Sequence, residues 1–251
     1  MIAKALKKHH IGIEPGFQWR GDEITRIEGL SDAVFAFAVT ILIISLEVPK
    51  TMEDFYRVLQ GLPAFAATFF LLMLVWYRQY SFFRRYGLQD LKTVVLSLFL
   101  LFVVLYFVYP LKFLFTQLLA PVGEWIFPFA TPEHIRIFNS AEDTVHLMVL
   151  YHAGVIAVYG LLLLMYRHAY KQREVLALNI VELHDTKDSI IESWFFVILS
   201  TTGLLMTFFG ADLAALSGAM VGPVCAIFFP IQGRISDKKR KKLMVELNPA
   251  Y

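Results

Sequence analysis

Polar side chains that could handle cations punctuate the apolar stretch RIEGLSDAVFAFAVTILIISLEVP, residues 26–49. Ser31 and Asp32 precede the apolar run, Thr40 lies in its middle and Glu47 follows it. Carboxylates concentrate cations, and oxygen ligands can replace part of a cation's hydration shell. On a helical repeat two stripes arise. The first holds Ala33, Phe37, Thr40, Ile41, Ile44 and Glu47, and the second holds Asp32, Ala36, Val39 and Ile43.

Repeated around a symmetry axis, the first stripe would line a pore. Phe37, Ile41 and Ile44 would form a narrow hydrophobic constriction that blocks ions when it is dry. Thr40 would add one polar ring, and Glu47 would form an acidic pore mouth that attracts cations.

The polar start of the same helix has two interpretations. In a pore, Ser31 and Asp32 would lie on the inner side, where a carboxylate within the membrane needs a partner such as Arg26. In an ordinary bundle, the apolar stripe would only pack, Thr40 would bond back to its own helix, and Ser31 or Asp32 would be an N-cap. The residue pattern alone leaves both interpretations open.

Composition places this stretch in a membrane protein. The 251 residues are 57% hydrophobic and 15% aromatic, with a mean hydropathy of +0.59, which exceeds what one soluble core of this length could enclose. A bilayer crossing takes roughly 20 residues. Runs of that order are the first stretch, taken from 30 to 48, and residues 58–80, 93–115, 145–166, 190–209 and 212–232. We predict an all-α membrane protein with six transmembrane helices.

The positions of the basic residues predict that both termini are cytoplasmic. Most of the 23 Lys and Arg residues fall at the termini and in alternate connections, and short cytoplasmic loops collect such residues. The opposite segments hold only Lys50, Arg57, Lys112 and Arg136. A signal peptide is not predicted, because acidic as well as basic residues precede the apolar run and Glu47 ends it.

The chain divides into three segments by composition. We predict a cytoplasmic lead over 1–23, a transmembrane domain over 24–235 and a basic cytoplasmic tail over 236–251. The connection 116–144 is rich in proline and aromatic residues, which favours an interfacial turn over a seventh crossing. The net charge is only +2, so the tail is interpreted as an anchor near acidic headgroups, with no nucleic-acid partner.

At its first span the chain resembles the endosomal/lysosomal potassium channel family known as transmembrane protein 175. The family signature is Arg-x-x-x-Phe-Ser-Asp at the start of the first helix, followed by Thr eight residues after the Asp. In this sequence the signature reads Arg26, Leu30, Ser31, Asp32 and Thr40. The six-span layout extends the resemblance over roughly residues 20–235. Eukaryotic members carry two such units per chain, so one unit is similar to the prokaryotic type.

The resemblance implies a potassium-permeable cation channel in a prokaryotic plasma membrane. Such a channel is a homotetramer around four first helices; its partners are the lipid bilayer and monovalent cations, and it needs no cofactor beyond permeating potassium ions. Phe37 would be the principal constriction, Ile41 and Ile44 would add apolar layers, and Thr40 would favour potassium. The residues of a polar network that holds the inner helix ends together would be Arg26, Ser31 and Asp32.

Two departures from the family pattern concern the second span and the constriction. Where the family has Trp followed three or four residues later by His, this chain has Trp76 and then Gln79, a neutral hydrogen-bonding residue. Phe37 is also bulkier than the usual aliphatic residue, which predicts low conductance. A TVGYG-type carbonyl filter is absent from the sequence, so the predicted preference for potassium over sodium is weak.

Two other functions remain as alternatives. A secondary transporter of a small cation or solute would use broken helices and ionisable residues at the midplane, for which Pro223 and His152 are weak candidates. A membrane-embedded enzyme would need converging acid, base or metal groups, and the aligned pair Glu142 and His146 is isolated. Cys/His spacing typical of a metal site is absent. We therefore predict that the protein is not an enzyme and binds no metal cofactor.

Overall fold

The computed structural model describes residues 17–21, 23–44, 48–128 and 140–247, and every regular element in these ranges is helical. Six of the helices are long and apolar enough to cross a membrane, which confirms the predicted all-α membrane fold with six spans. The helices are α1 Arg26–Ile44, α2 Met52–Gln60, α3 Leu62–Tyr86, α4 Leu91–Ile126, α5 Ala141–Lys171, α6 Ile180–Thr207 and α7 Ala211–Leu247.

Local signals in the sequence explain where several helices begin and end. Thr51, Ser140 and Asn179 each form a capping box at the start of α2, α5 and α6, which satisfies backbone N–H groups that a helix leaves unpaired. Pro63 lies in the first turn of α3, where proline is favoured because its missing N–H needs no partner there. Gly87 ends α3 with φ of 60°, a left-handed conformation that glycine adopts without strain.

Hydropathy located the spans but underestimated their lengths. The helix α4 runs for 36 residues, about 54 Å at 1.5 Å per residue, whereas the hydrocarbon core is about 30 Å thick. It continues to Ile126 with Pro121 inside it, so the predicted turn over 116–144 is wrong for its first part. The segment 50–57, which lies between the first two predicted spans, contains most of α2. The helix α7 likewise continues through the basic residues to Leu247.

The helices pack in an order that leaves α1 at one edge of the protomer. Helix α1 contacts α3 and α4, α4 contacts α5, and α5 contacts α6 and α7, while the described residues of α1 do not pack against α6 or α7. We call the end of the bundle that carries Arg84, Arg85 and Lys171 the basic end. The opposite end carries the end of α1, the short helix α2 and the start of α3.

The main core is an apolar cluster that joins α1, α3, α4 and α5. An aromatic group at the basic end fixes α3 against α5, with the rings of Phe82 and Tyr166 perpendicular at 5.5 Å. The ring of Phe17, from the segment before α1, meets Tyr86 edge-on at 5.9 Å. The Tyr86 hydroxyl lies 2.8 Å from that of Thr186 on α6. The segment before α1 is therefore part of the core.

Candidate functional site

One side of α1 is buried in the core of its own protomer. The side chains that fill this side are Glu28, Ser31, Phe35, Ala38 and Leu42. They recur at three- and four-residue intervals, which is the spacing of one helix face. They pack against α3 and α4. The apolar members anchor α1, so its opposite side points away from the protomer.

The opposite side of α1 is exposed along the whole helix, and we call it the open face. It comprises Arg26, Gly29, Leu30, Asp32, Ala33, Ala36, Phe37, Thr40, Ile43 and Ile44. At about 100° per residue, Ala33 and Thr40 lie near its middle and Phe37 and Ile44 lie within about 50° of that line. The side chain of Phe37 is 59% exposed and that of Ile44 is 72% exposed.

The structure separates the residues that the sequence assigns to a constriction. Phe37 and Ile44 lie on the open face, but Ile41 is half-buried and packs against the core. The Oγ1 of Thr40 donates to the carbonyl of Ala36 at 3.0 Å, so the helix itself satisfies that proton while the oxygen keeps acceptor capacity. Glu47, the predicted pore mouth, lies outside the described residues.

Of the second predicted stripe, only Val39 packs against the protomer core. Asp32, Ala36 and Ile43 are exposed and Val39 is half-buried, so this stripe largely belongs to the open face. The two stripes together form one continuous surface, because residues three, four and seven apart spread over a broad sector of a helix. The packing side of α1 is a third stripe, which contains two polar residues, Glu28 and Ser31.

Polar contacts at the basic end join α1 to α3. The Nε2 of Gln79 donates to the Oγ of Ser31 at 3.2 Å, and the Ser31 hydroxyl donates to the carbonyl of Ile27 at 2.8 Å. Trp76 donates its indole N–H to Oδ1 of Asp32 at 2.8 Å. Gln79 is 1% exposed, so it is a buried neutral hydrogen-bonding residue, as the sequence suggested.

Arg26 does not join this network within one protomer. Six residues separate it from Asp32, which places the two side chains about 120° apart around the helix. Its side chain is exposed. The partner of Asp32 in the described chain is therefore the indole of Trp76, and the guanidinium that the sequence offered for this role lies on another part of the open face.

A second polar group at the basic end was missed by the sequence reasoning. Glu28 is buried, and its Oε1 lies 3.5 Å from Nε of Arg84. Its backbone N–H donates to Oγ1 of Thr25 at 3.2 Å. The carboxylate of Glu28 in turn accepts the Thr25 N–H. The spacing of Thr25 and Glu28 is that of a capping box, so this signal was present in the sequence.

The segment before α1 is held by a buried ion pair that the sequence did not reveal. Arg20 binds both carboxylate oxygens of Glu182, at 2.8 and 3.0 Å. The residues that meet here are 162 positions apart, and no local pattern indicates such a contact. The pair links the entry of α1 to the start of α6.

The open face combines small, apolar, hydroxyl and charged side chains. Among the described residues, no group of three or more His, Cys, Asp or Glu side chains could hold a metal ion. His152, the candidate for a transporter site, is buried inside the bundle, and its Nε2 lies 2.9 Å from Oγ of Ser217. Glu142 and His146 are both exposed.

Comparisons with known proteins all find similarity to potassium channels. The family model described as "Endosomal/lysosomal potassium channel TMEM175" matches residues 26–108. A protein of Marivirga tractuosa named "Potassium channel" is 37% identical over 238 residues, which cover 93% of this chain and 96% of the relative. A crystal structure of a variant of the potassium channel MtTMEM175 with a nanobody–MBP fusion protein is similar with a TM-score of 0.76. The two chains are 37% identical, and the match covers 90% of this chain and 99% of the chain in that structure.

Proposed function

Because this chain belongs to the TMEM175 family of potassium channels, we propose that it is a potassium-permeable cation channel whose pore is lined by α1. The family and the named relatives support potassium channel function. The finer proposal is that four protomers surround an axis with their open faces inward. It keeps both termini in the cytoplasm and places the tetramer in a prokaryotic plasma membrane, in contact with lipid and monovalent cations.

The observation that carries this proposal is the composition of the open face. Small side chains and a hydroxyl occupy its middle, at Ala33, Ala36 and Thr40, and two charged side chains, Arg26 and Asp32, lie toward the basic end. Charged groups at membrane depth normally face a bundle interior or a water-filled cavity, and small residues let helices approach closely. An assembly of α1 helices satisfies both conditions.

The exposed side of α4 provides a contrast within the same protomer. Its exposed residues include Phe99, Phe102, Tyr106 and Tyr109, and such large apolar and aromatic side chains suit contact with lipid. The open face of α1 has only one aromatic residue, Phe37. The difference favours lipid around α4 and a protein or aqueous environment around α1.

We infer that Phe37 forms the narrowest apolar ring and that Ile44 forms a second ring near the far end of α1. Ile41 lies about 90° from the middle of the open face, so it would support the ring of Phe37 from behind rather than line the pore. Thr40, one turn from both rings, would offer its hydroxyl oxygen to a partly dehydrated cation.

Selectivity in this proposal comes from ring diameter and hydroxyl oxygens. The helix α1 is continuous from Arg26 to Ile44, so its carbonyl oxygens accept hydrogen bonds from within the helix and are poor ligands for an ion. We expect a modest preference for potassium over sodium. A catalytic role or a bound cofactor forms no part of the proposal.

Planar-bilayer recording of the purified protein tests the constriction. Phe37→Ala should raise the single-channel current, because smaller side chains leave a wider constriction that stays hydrated more readily. Phe37→Asn should raise the current further. Phe208→Ala, at an exposed position directly after α6, is the matched control and should leave the current unchanged. Currents that stay the same in both Phe37 variants would contradict this assignment.

A flux assay in liposomes separates a channel from a transporter. Potassium efflux through a channel needs only a path for charge compensation and does not require a counter-transported solute. Efflux that occurs only when a second substrate is present outside would contradict the channel proposal.

A further inference from the structure

A groove between α6 and α7 lies far from α1, toward the basic end of the bundle. Its volume is about 610 Å³, which falls in the range of sites that hold small organic ligands. Its walls are aliphatic and aromatic, with Ile191 and Phe195 on α6 facing Ile227 and Ile231 on α7. Such walls favour contact with a long apolar chain.

The character of the groove changes along its length. Lys187 on α6 and Lys239 on α7 line its polar end and are exposed. Asp188 also lines this end, but its carboxylate accepts a hydrogen bond from the Ser236 hydroxyl and lies 3.5 Å from Nε2 of His184. One oxygen of the carboxylate is thus hydrogen-bonded within the protein. The polar end therefore carries two exposed ammonium groups against one carboxylate, and the ammonium of Lys187 also lies 5.7 Å from the ring centre of Tyr170.

The depth of the groove matches one leaflet of a bilayer. Eight residues separate Lys187 from Phe195 on α6, and twelve separate Lys239 from Ile227 on α7. At 1.5 Å per residue these intervals are about 12 and 18 Å. Half of a hydrocarbon core of about 30 Å is about 15 Å. A lipid with its headgroup at the lysines would therefore place its chain beside the apolar walls.

We propose that this groove binds an anionic phospholipid from the leaflet at the basic end. The phosphate would lie between Lys187 and Lys239, and one acyl chain would follow Ile191, Ile227 and Ile231. Basic pockets between transmembrane helices are known to hold acidic lipid headgroups. A packing helix from another protein would bury both ammonium groups, which costs free energy unless that helix supplies acidic partners. The proposal concerns lipid binding and does not depend on ion conduction.

Lipid retention measured by native mass spectrometry tests the proposal on the full-length purified protein. The protein is delipidated in detergent and then titrated with phosphatidylglycerol or with phosphatidylcholine of the same acyl chains. Each lysine near an anionic headgroup contributes enough to raise affinity about fivefold. Wild-type protein should therefore retain phosphatidylglycerol roughly thirty times better than phosphatidylcholine, with one strongly held lipid per protomer.

Three variants distinguish the parts of the site. In K187Q/K239Q the preference for phosphatidylglycerol should vanish while weak binding of both lipids persists. In Ile231→Trp the larger side chain should fill the groove, so both lipids should be lost. Lys238→Gln removes a basic residue that does not line the groove and should behave like wild type. Comparable melting temperatures for all variants show that folding is intact.

Competition with soluble fragments identifies which part of the lipid is recognised. Glycerol phosphate carries only the charged group, and oleate carries a single chain with a carboxylate. Neither should displace phosphatidylglycerol at equal concentration. Equal retention of the two phospholipids by wild type, an equal loss in Lys238→Gln, or displacement by either fragment would overturn the proposal.

Discussion

Replacing Arg20 with alanine should loosen the connection between the entry of α1 and the start of α6. The guanidinium donates to both carboxylate oxygens of Glu182, at 2.8 and 3.0 Å, and its Nε donates to the carbonyl of Leu176 at 2.8 Å. The side chain of Glu182 is 1% exposed and that of Arg20 is 17% exposed. The pair is a bidentate contact of the kind that arginine makes best.

The structure bounds the cost of this change. Breaking a buried ion pair by removing one partner typically costs 3–5 kcal/mol, because the remaining charge stays buried. After Arg20→Ala, the Glu182 carboxylate keeps backbone N–H donors from Gln18 and Asn179, at 2.7 and 2.8 Å. We therefore expect about 3 kcal/mol, the lower end of that range. For a chain of this size that corresponds to a fall in melting temperature of about 6–12 °C.

Thermal unfolding of the detergent-solubilised protein measures the effect. Arg20→Lys keeps the charge but loses the planar fork, so its melting temperature should lie between those of wild type and Arg20→Ala. Arg173→Ala is the matched control, because Arg173 and Glu174 form an exposed pair at 3.5 Å and such pairs contribute at most about 1 kcal/mol.

Hydrogen exchange should locate the change at the basic end. The amides of residues 26–30, at the start of α1, should exchange faster in Arg20→Ala, while those in the middle of α5 should not change. A fall in melting temperature below about 2 °C, or one no larger than that of Arg173→Ala, would refute the view that this buried pair anchors the segment before α1.

Two further predictions concern packing and pH. Gly203→Ala should destabilise the protein by about 2–3 kcal/mol, because a Cβ atom there would collide with the imidazole ring of His152, and overpacking a buried site is costly; the melting temperature reports the loss. At the start of α4, burial raises the pKa of Asp90, but hydrogen bonds from Thr93 and His168 and the charge of His168 outweigh it and lower that pKa below 3.8. This contribution to stability is present above about pH 4 and is lost as pH falls through the lowered pKa, so acid should lower the melting temperature less in Asp90→Asn than in wild type.

Each of these predictions has a built-in comparison. Gly160→Ala adds a Cβ atom with no neighbour within 4 Å, so it should leave the melting temperature nearly unchanged. Alanine is a better helix former than glycine, so helix propensity acts against any loss in either variant. A loss in Gly160→Ala as large as that of Gly203→Ala would therefore contradict the collision with His152 as the cause. An identical acid response of wild type and Asp90→Asn would show that Asp90 does not contribute to the pH dependence.

The number of spans and the position of the family signature were predictable from local information. Hydropathy over windows of about 20 residues reports a property of contiguous residues, and the signature from Arg26 to Thr40 lies within one helix. Helix ends were less predictable. Pro121 indicated an interruption, yet α4 continues, because proline is tolerated where neighbouring groups satisfy the freed carbonyl. The basic residues after Arg234 also indicated an end, yet α7 continues, because charged residues are ordinary in a helix beyond the bilayer.

The sequence by itself determined that α1 is an apolar helix with polar groups on more than one side. Only the tertiary structure decided which side faces the protomer, because that choice depends on what α3 and α4 present to Phe35, Ala38 and Leu42. The same limit explains why Asp32 binds Trp76 instead of Arg26 and why Arg20 meets Glu182. Periodicity describes neighbours along one helix, whereas these contacts join residues that are distant in the chain, and their partners are chosen by packing of the whole bundle.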